Sequence, residues 1–237
     1  VRYVKYLLIA VIIIVFSCSR SIGEPPEAKN GVIDLHGWDF ANYGIVKLKG
    51  NWEFYWDTLL SPNQLINNKY YPQYNYVPRP WTAYKIADKN FPENGKATYR
   101  LKIVNLEKYK YALFVYQLAS YSIIVNGDVL FDGITENKDE EIVNSPIVNI
   151  YSFSMQSDTV ELIVQVNNNM FFKNSGLAYP IELGFEKDII FRKLSAAVIR
   201  ALLIGILIMA AFYNLSFFIF RKKDLSFLYF SIFCILI

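Results

Sequence analysis

The chain has 237 residues, of which 54% are hydrophobic and 17% aromatic, with a formal charge of +3 at pH 7. That length holds one ordinary domain with additional segments, and the apolar excess concentrates at the two ends. The mild charge comes without a long basic block, so nothing here has the electrostatic footprint of a nucleic-acid partner. The two cysteines, Cys18 and Cys234, lie in or beside the apolar ends, and His36 is the one histidine. A disulfide framework, a Cys-based zinc site and a Cys nucleophile are thereby excluded from the middle of the chain, and a histidine triad would rest on a single residue.

Residues 1–18 read VRYVKYLLIAVIIIVFSC. Arg2 and Lys5 precede an apolar run of about eleven residues, short for a membrane span but right for a secretory h-region. Ser17-Cys18 resembles a bacterial lipoprotein signal, which makes Cys18 a lipidation candidate; Phe16 departs from the usual small residue. Lipidation, ordinary cleavage and an uncleaved anchor stay open, and all three carry the middle of the chain out of the cytoplasm. Residues 19–30 then read as a linker.

Residues 31–186 read as β. In GNWEFYW (50–56) the two-residue period puts Trp52, Phe54 and Trp56 on one face, with Glu53, Tyr55 and Asp57 on the other. The aromatic face is expected in the core and the opposite face in solvent, with Gly50 marking a turn or bulge. Residues 61–94 hold five prolines and Tyr70, Tyr71, Tyr74 and Tyr76 and read as a loop. TYRLKIV (98–104) alternates, with Tyr99, Leu101 and Ile103 inward and Thr98, Arg100 and Lys102 outward. YALFVYQ (111–117) reads as a central strand. YSIIVNGDVLF (121–131) is a hairpin turning at Asn126-Gly127. The acidic loop 133–146, with Asp139, Glu140 and Glu141, reads as a solvated run. TVELIVQV (159–166) is another strand, followed by an Asn-rich loop. Several strands with turn signals and no convincing helix between them predict an antiparallel sandwich.

Residues 185–194 can form a short amphipathic helix that leads into a span over 195–220. From Ala201 that span has twenty residues without a charge, enough to cross the hydrocarbon core. Arg221, Lys222 and Lys223 place the adjoining loop, 221–224, in the cytoplasm by the positive-inside rule. Asn214 is expected to hydrogen-bond between helices. The apolar residues 225–237 read as the start of a second helix. At about 1.5 Å per residue they reach only about 20 Å, short of a core of about 30 Å, so the chain is expected to be a fragment of a longer polytopic protein.

No phosphate loop, serine elbow or paired-carboxylate arrangement occurs; no cofactor, no resident metal and no catalytic residue are expected. Asp128 and Asp132 are ordinary turn acids.

The ordered set GVIDLHGWDF (31–40), GIVKLKGNWEFYW (44–56), VPRPW (77–81), ATYRLKIV (97–104), IIVNGDVLFDG (123–133), LIVQVNN (162–168) and SGLAYPIELG (175–184) resembles the extracytoplasmic domain of bacterial seven-transmembrane receptors with diverse intracellular signalling modules. The apolar hairpin after it resembles the start of that family's membrane unit. The resemblance implies a galactose-binding-like jelly-roll sandwich over 31–186, a connector at 187–194 and a transmembrane hairpin truncated in its second helix. It implies a periplasmic domain sensing a small-molecule or glycan ligand, at the inner membrane. It also implies further membrane helices and a cytoplasmic cyclase, kinase or phosphatase domain in the full protein, the enzyme itself lying outside this chain. A membrane-anchored carbohydrate-binding module with no signalling role is the alternative. Loop aromatics and polar groups, Tyr74, Tyr76, Trp81, Asn126 and Phe172, are the expected ligand contacts.

Overall fold

The computed structural model describes residues 24–66, 69–86, 89–117, 120–134, 147–155, 157–168, 175–220 and 225–236. The signal segment with Cys18, the acidic loop at Asp139–Glu141, Phe172 and Arg221–Lys223 lie outside the described residues. The chain divides into two compact units, Val1–Phe185 and Glu186–Ile237.

The first unit is a β-sandwich, as its alternating strands predict. Its strands are β1 (Glu27–Ala28), β2 (Val32–Asp34), β3 (Val46–Trp56), β4 (Gln73–Val77), β5 (Lys85–Ile86), β6 (Lys89–Asn90), β7 (Gly95–Val104), β8 (Lys110–Gln117), β9 (Ser120–Val125), β10 (Asp128–Asp132), β11 (Ile147–Ser154), β12 (Val160–Asn168) and β13 (Ile181–Phe185). Two short helices interrupt them, α1 (Phe40–Tyr43) and α2 (Pro62–Ile66). The main path runs β10-β9-β12-β7-β3-β13-β8-β11, while β5 and β6 pair only with each other.

β3 is shared by both layers. Its first residues, Val46–Leu48, pair with β13, and Glu53–Trp56 pair with β7. Between these, β3 leaves β7, and the backbone groups on both sides of the fork need partners. Residues 27–34 supply them. β1 runs parallel to β3 with Ala28 opposite Gly50, and β2 runs parallel to β7 with Val32 opposite Lys102. Gly31 bridges the fork: its N–H donates to Asn51 O at 2.9 Å, and its carbonyl accepts from Lys102 N at 2.8 Å.

The period-two pattern sets the core. Trp52 and Phe54, then Tyr99, Leu101 and Ile103, then Ile123 and Val125, all point inward and are buried, together with Leu162, Val164 and Leu183. Trp56 packs at the margin of this core, its ring 4.7 Å from that of Phe91. The opposite face departs from expectation. Tyr55 and Thr98, placed outward by alternation, are buried, because the chain after β3 folds back over the outer surface of this sheet. Leu60 and Leu65 cover Tyr55, Ile124 and Ile163 as a second small core. Thr98 Oγ1 accepts from Leu60 N and donates to Thr58 O, each at 2.9 Å, which satisfies the hydroxyl inside this cover. Beyond the cover, Arg100 bridges Glu53, at 3.1 Å, and Glu161, tying β3, β7 and β12 across one face.

Residues 61–94, expected as loop, contain α2, β4 and the β5–β6 ribbon. Gly50 is no turn; it sits inside β3 with φ 117°.

The second unit holds α3 (Glu186–Phe220) and α4 (Leu225–Leu236). α3 is one continuous helix, long and apolar enough to cross a membrane, where a short amphipathic helix and a separate span were expected. The two helices meet through small and aromatic residues. Ser231 Oγ donates to Ala211 O at 2.9 Å, and the rings of Phe217 and Phe227 stack at 5.6 Å. Asn214 does not bridge the helices: its Nδ2 folds back one turn onto Ala210 O at 2.8 Å, which satisfies the amide within its own helix. Ser231 makes the interhelical bond instead.

A Cβ added at Gly50 would stand 2.4 Å from both Ala28 N and Ala28 O, at a φ that side chains rarely adopt. Gly50→Ala is therefore expected to cost about 2–3 kcal/mol, seen as a fall in the urea midpoint at unchanged slope. Gly37→Asn, at φ 79° in open space, should cost less than about 1 kcal/mol. Equal effects at the two sites would remove the fork as the critical contact.

Candidate functional site

Strand order separates the expected contact residues. Tyr74 and Tyr76 project from one face of β4, at one end of their sheet, and both are substantially exposed. Tyr76 is held by its hydroxyl, which donates to Glu27 Oε1 at 3.0 Å. Asn126 lies in the β9–β10 turn at the other end of the same sheet. β3, β7, β12 and β9 intervene, a separation of about 24 Å at about 4.8 Å per strand. No single sugar ring touches both. Trp81 is sealed in the core; its Nε1 donates to Pro92 O at 2.9 Å and its ring meets Trp56 edge-on at 5.1 Å. Its position gives it a packing role, so Trp81 offers no face to a ligand.

Asn126 opens on a concave site. The two ends of the bent sheet path, β10 and β11, do not pair with each other, and the gap between them holds a cleft of about 580 Å³. Phe153 and Leu130 form its apolar part. Asn126, Asp128, Ser152 and Ser154 supply polar groups around it.

Local sequence explains this placement. Asn126 and Gly127 both have positive φ, 50° and 90°, as a two-residue hairpin demands. The Asn126 side chain then reaches the neighbouring strand: Oδ1 accepts from Glu161 N at 2.8 Å, while Asn126 N donates to Glu161 O at 2.9 Å. This double clamp fixes the hairpin tip and directs Asp128 to the cleft. Along β11 the alternation sends Tyr151 and Phe153 to the core and leaves Ser152 and Ser154 on the rim. Among the described residues, the Asp128 carboxylate and the hydroxyls of Ser152 and Ser154 take part in no hydrogen bond or ion pair. A rim of hydroxyls that both donate and accept, one carboxylate acceptor and an apolar floor suits a polyhydroxylated ring with one apolar face.

Sequence reasoning missed Ser152, Ser154 and Phe153 because residues 147–154 were not read as a strand. The signal was there: Tyr-Ser-Phe-Ser at 151–154 is a strict period-two pattern. Asp128 was read only as a turn acid.

Phe153 also connects the cleft to the end of the domain. In register, Phe153 faces Tyr111, and Tyr111 faces Phe185 on its other side. The rings follow: Phe153 to Tyr111 is 6.3 Å, stacked, and Tyr111 to Phe185 is 5.4 Å. Phe40 and Tyr109 hold Phe185 from two further sides, at 5.5 and 5.1 Å. Phe185 is the last residue of β13, and α3 begins at the next residue. Beside Phe40 lies a second cleft of about 370 Å³, bordered by His36, Trp38, Asn105 and Glu107.

No protein-family model matches the chain, and no curated protein matches its sequence. In solved structures the chain is similar to part of the GH2 beta-galacturonidase from Eisenbergiella tayi bound to galacturonate, at 14% identity and a TM-score of 0.44, over 60% of this chain and 24% of that one. It is also similar to part of the beta-glucuronidase from Ruminococcus gnavus in complex with D-glucuronic acid, at 16% identity and a TM-score of 0.41, over 59% of this chain and 29% of that one. The chain thus spans about a quarter of the length of these enzymes.

Buried phenols set the response of the domain to alkali. Burial, then the charge of Glu107, raises Tyr111 to about 12. Burial likewise raises Tyr84, Tyr99 and Tyr121. In the unfolded chain these groups lose their protons near the ordinary tyrosine value of about 10. The folded state retains protons that the unfolded state releases, so the contribution of these phenols to stability is level below about pH 10 and falls above it, by about 1.4 kcal/mol per pH unit for each withheld phenol. Urea midpoints measured across this range should decline steeply, with the tyrosinate absorbance of these buried phenols appearing together with unfolding. Ionisation of these phenols in the folded state, well before unfolding, would contradict their burial.

Proposed function

We propose that the chain is the ligand-sensing jelly-roll domain and the first membrane helices of a bacterial signal-transduction receptor, with a glycan as the ligand of the β10–β11 cleft. The observation that carries this reading is the ring path Phe153–Tyr111–Phe185, which runs from the cleft wall to the residue before α3. A ligand that packs on Phe153 acts on a ring only one contact removed from Phe185. There is no linker to absorb a shift of Phe185, because Glu186 is already helical. Binding then biases α3 between arrangements to the extent that the ligand prefers one of them.

In this reading residues of about 19–194 lie in the periplasm, α3 crosses the inner membrane, and Arg221–Lys223 face the cytoplasm, with Cys18 the candidate for a second anchor point through lipid. Further helices and an output domain belong to the longer protein. A carbohydrate-binding module on a single anchor would have no use for α4; the Ser231–Ala211 bond and the Phe217–Phe227 stack support a hairpin.

The full chain in detergent micelles tests this directly. All four tryptophans, Trp38, Trp52, Trp56 and Trp81, belong to the sandwich, so their emission follows its melting alone. A cognate glycan at about one hundred times its Kd should stabilise by about 2.7 kcal/mol, a rise of about 5–10 °C for a domain of this size. Ser154→Trp, which fills the cleft from its rim, should abolish the rise while leaving the unliganded melting point nearly unchanged. No rise with any member of a broad glycan panel would end the glycan reading. A rise that survives Ser154→Trp would move the site elsewhere.

A further inference from the structure

The positive-inside rule accounts for Arg221–Lys223 but leaves three cations at the opposite end of α3 unexplained. Arg192, Lys193 and Arg200 are the basic residues of the helix after its first turn, and no acid occurs between Ile189 and Phe220. At about 100° per residue, Arg200 falls between Arg192 and Lys193 in helical projection, so all three share an arc of about 100°. Ala196 lies inside that arc, so its small side chain leaves room between the cations.

Arg200 is nearest the uncharged stretch, and its side chain turns away from that stretch. Its Nε donates to Ala196 O at 3.1 Å, so the side chain runs back one turn towards Arg192 and Lys193. The axial gap between Arg192 and Arg200, about 12 Å from Cα to Cα, is shortened accordingly. On the same arc, one turn further along the helix, Leu203 and Ile204 are exposed apolar residues. The surface thus carries a cationic arc over Ala196, continued by an apolar strip.

We propose that Arg192, Lys193 and Arg200 form a headgroup site for an anionic phospholipid, the phosphodiester held over Ala196 and the acyl chain laid along Leu203 and Ile204. Arg200 supplies a planar donor pair to the phosphate, and Lys193 and Arg192 add charge at the headgroup level. The inference rests on α3 lying in a membrane, as under the proposed function. It adds a ligand that the sandwich does not touch: an anionic bilayer would hold α3 at one depth, against which a movement begun at Phe185 could work.

The full chain, purified in a neutral detergent, can be titrated with short-chain phosphatidylglycerol and with short-chain phosphatidylcholine. Phosphatidylglycerol should bind about tenfold more tightly or better. The triple variant Arg192→Gln/Lys193→Gln/Arg200→Gln should bring the two lipids within about twofold, while Arg221→Gln/Lys222→Gln/Lys223→Gln keeps most of the preference. Unchanged tryptophan emission and melting show that each variant is folded. Equal binding of both lipids by the unmodified chain overturns the site, as does loss of preference only in the 221–223 variant. Competition by inorganic phosphate at equal concentration would make the site one for a free anion and overturn the lipid assignment. A chain washed from bacterial membranes by alkaline carbonate fails the membrane reading itself. A chain that stays inserted and shows no lipid preference fails this inference alone.

Discussion

The sandwich depends on one backbone contact, the approach of Ala28 to Gly50. β3 belongs to both layers, and a strand that changes layers must leave one neighbour before it has fully gained the next. Without a side chain at Gly50, β1 comes close enough to occupy the vacated side of β3. Gly31 then satisfies the two strands as they diverge, and β2 completes the edge of β7. Two further close approaches have the same character. A Cβ at Gly176 would meet the Tyr99 hydroxyl at 2.4 Å, and one at Gly95 would meet the Trp56 ring at 2.4 Å. In each case a glycine leaves room for a large aromatic at close approach.

Most of the long strands were legible in the sequence: β7 and β12 from period-two runs, β8 from a continuous apolar run, and the β9–β10 hairpin from two short apolar runs joined by one Asn-Gly turn. The shared role of β3 was not legible. Its pattern Val-Lys-Leu-Lys-Gly-Asn-Trp-Glu-Phe runs unbroken through the fork, and Gly50 is equally consistent with a turn, a bulge or a crossing. The buried outer face was hidden for a different reason. Period two tells which residues share a face, but only the returning chain decides whether that face meets water. Leu60 and Leu65 lie in a Pro- and Asn-rich stretch whose composition reads as solvent, yet they cover Tyr55 and Ile163.

The candidate cleft was half legible for the same kind of reason. Asn126 was conspicuous because its turn chemistry is local. Asp128, Ser152 and Ser154 acquire meaning only when β10 and β11, distant in sequence, become the two unpaired margins of one bent sheet. Trp81 and Tyr76 show the converse. Both look like exposed loop aromatics by composition; one closes the core and the other is tied by its hydroxyl to Glu27. Aromatic residues in a proline-rich stretch are therefore poor guides to a ligand unless the strand order brings them to a common concavity.

The position of the cleft gives the reading its mechanical sense. β9 ends at Val125, β11 at Ser154 and β13 at Phe185, and the registers through Tyr111 put Phe153 and Phe185 on one cross-strand row. The cleft is therefore at the same end of the sandwich as the exit of the chain, and the rows between them are rings in a packed core. Packed interiors rearrange between discrete states and resist continuous deformation. A soft, loosely packed end would absorb the loss or gain of a contact at Phe153. Here Phe185 is enclosed by Phe40, Tyr109 and Tyr111, so a ring that moves at the cleft must displace a neighbour, and the last neighbour is covalently joined to α3. In the proposed receptor, the enclosure that stabilises this end of the sandwich is also what would pass a movement on.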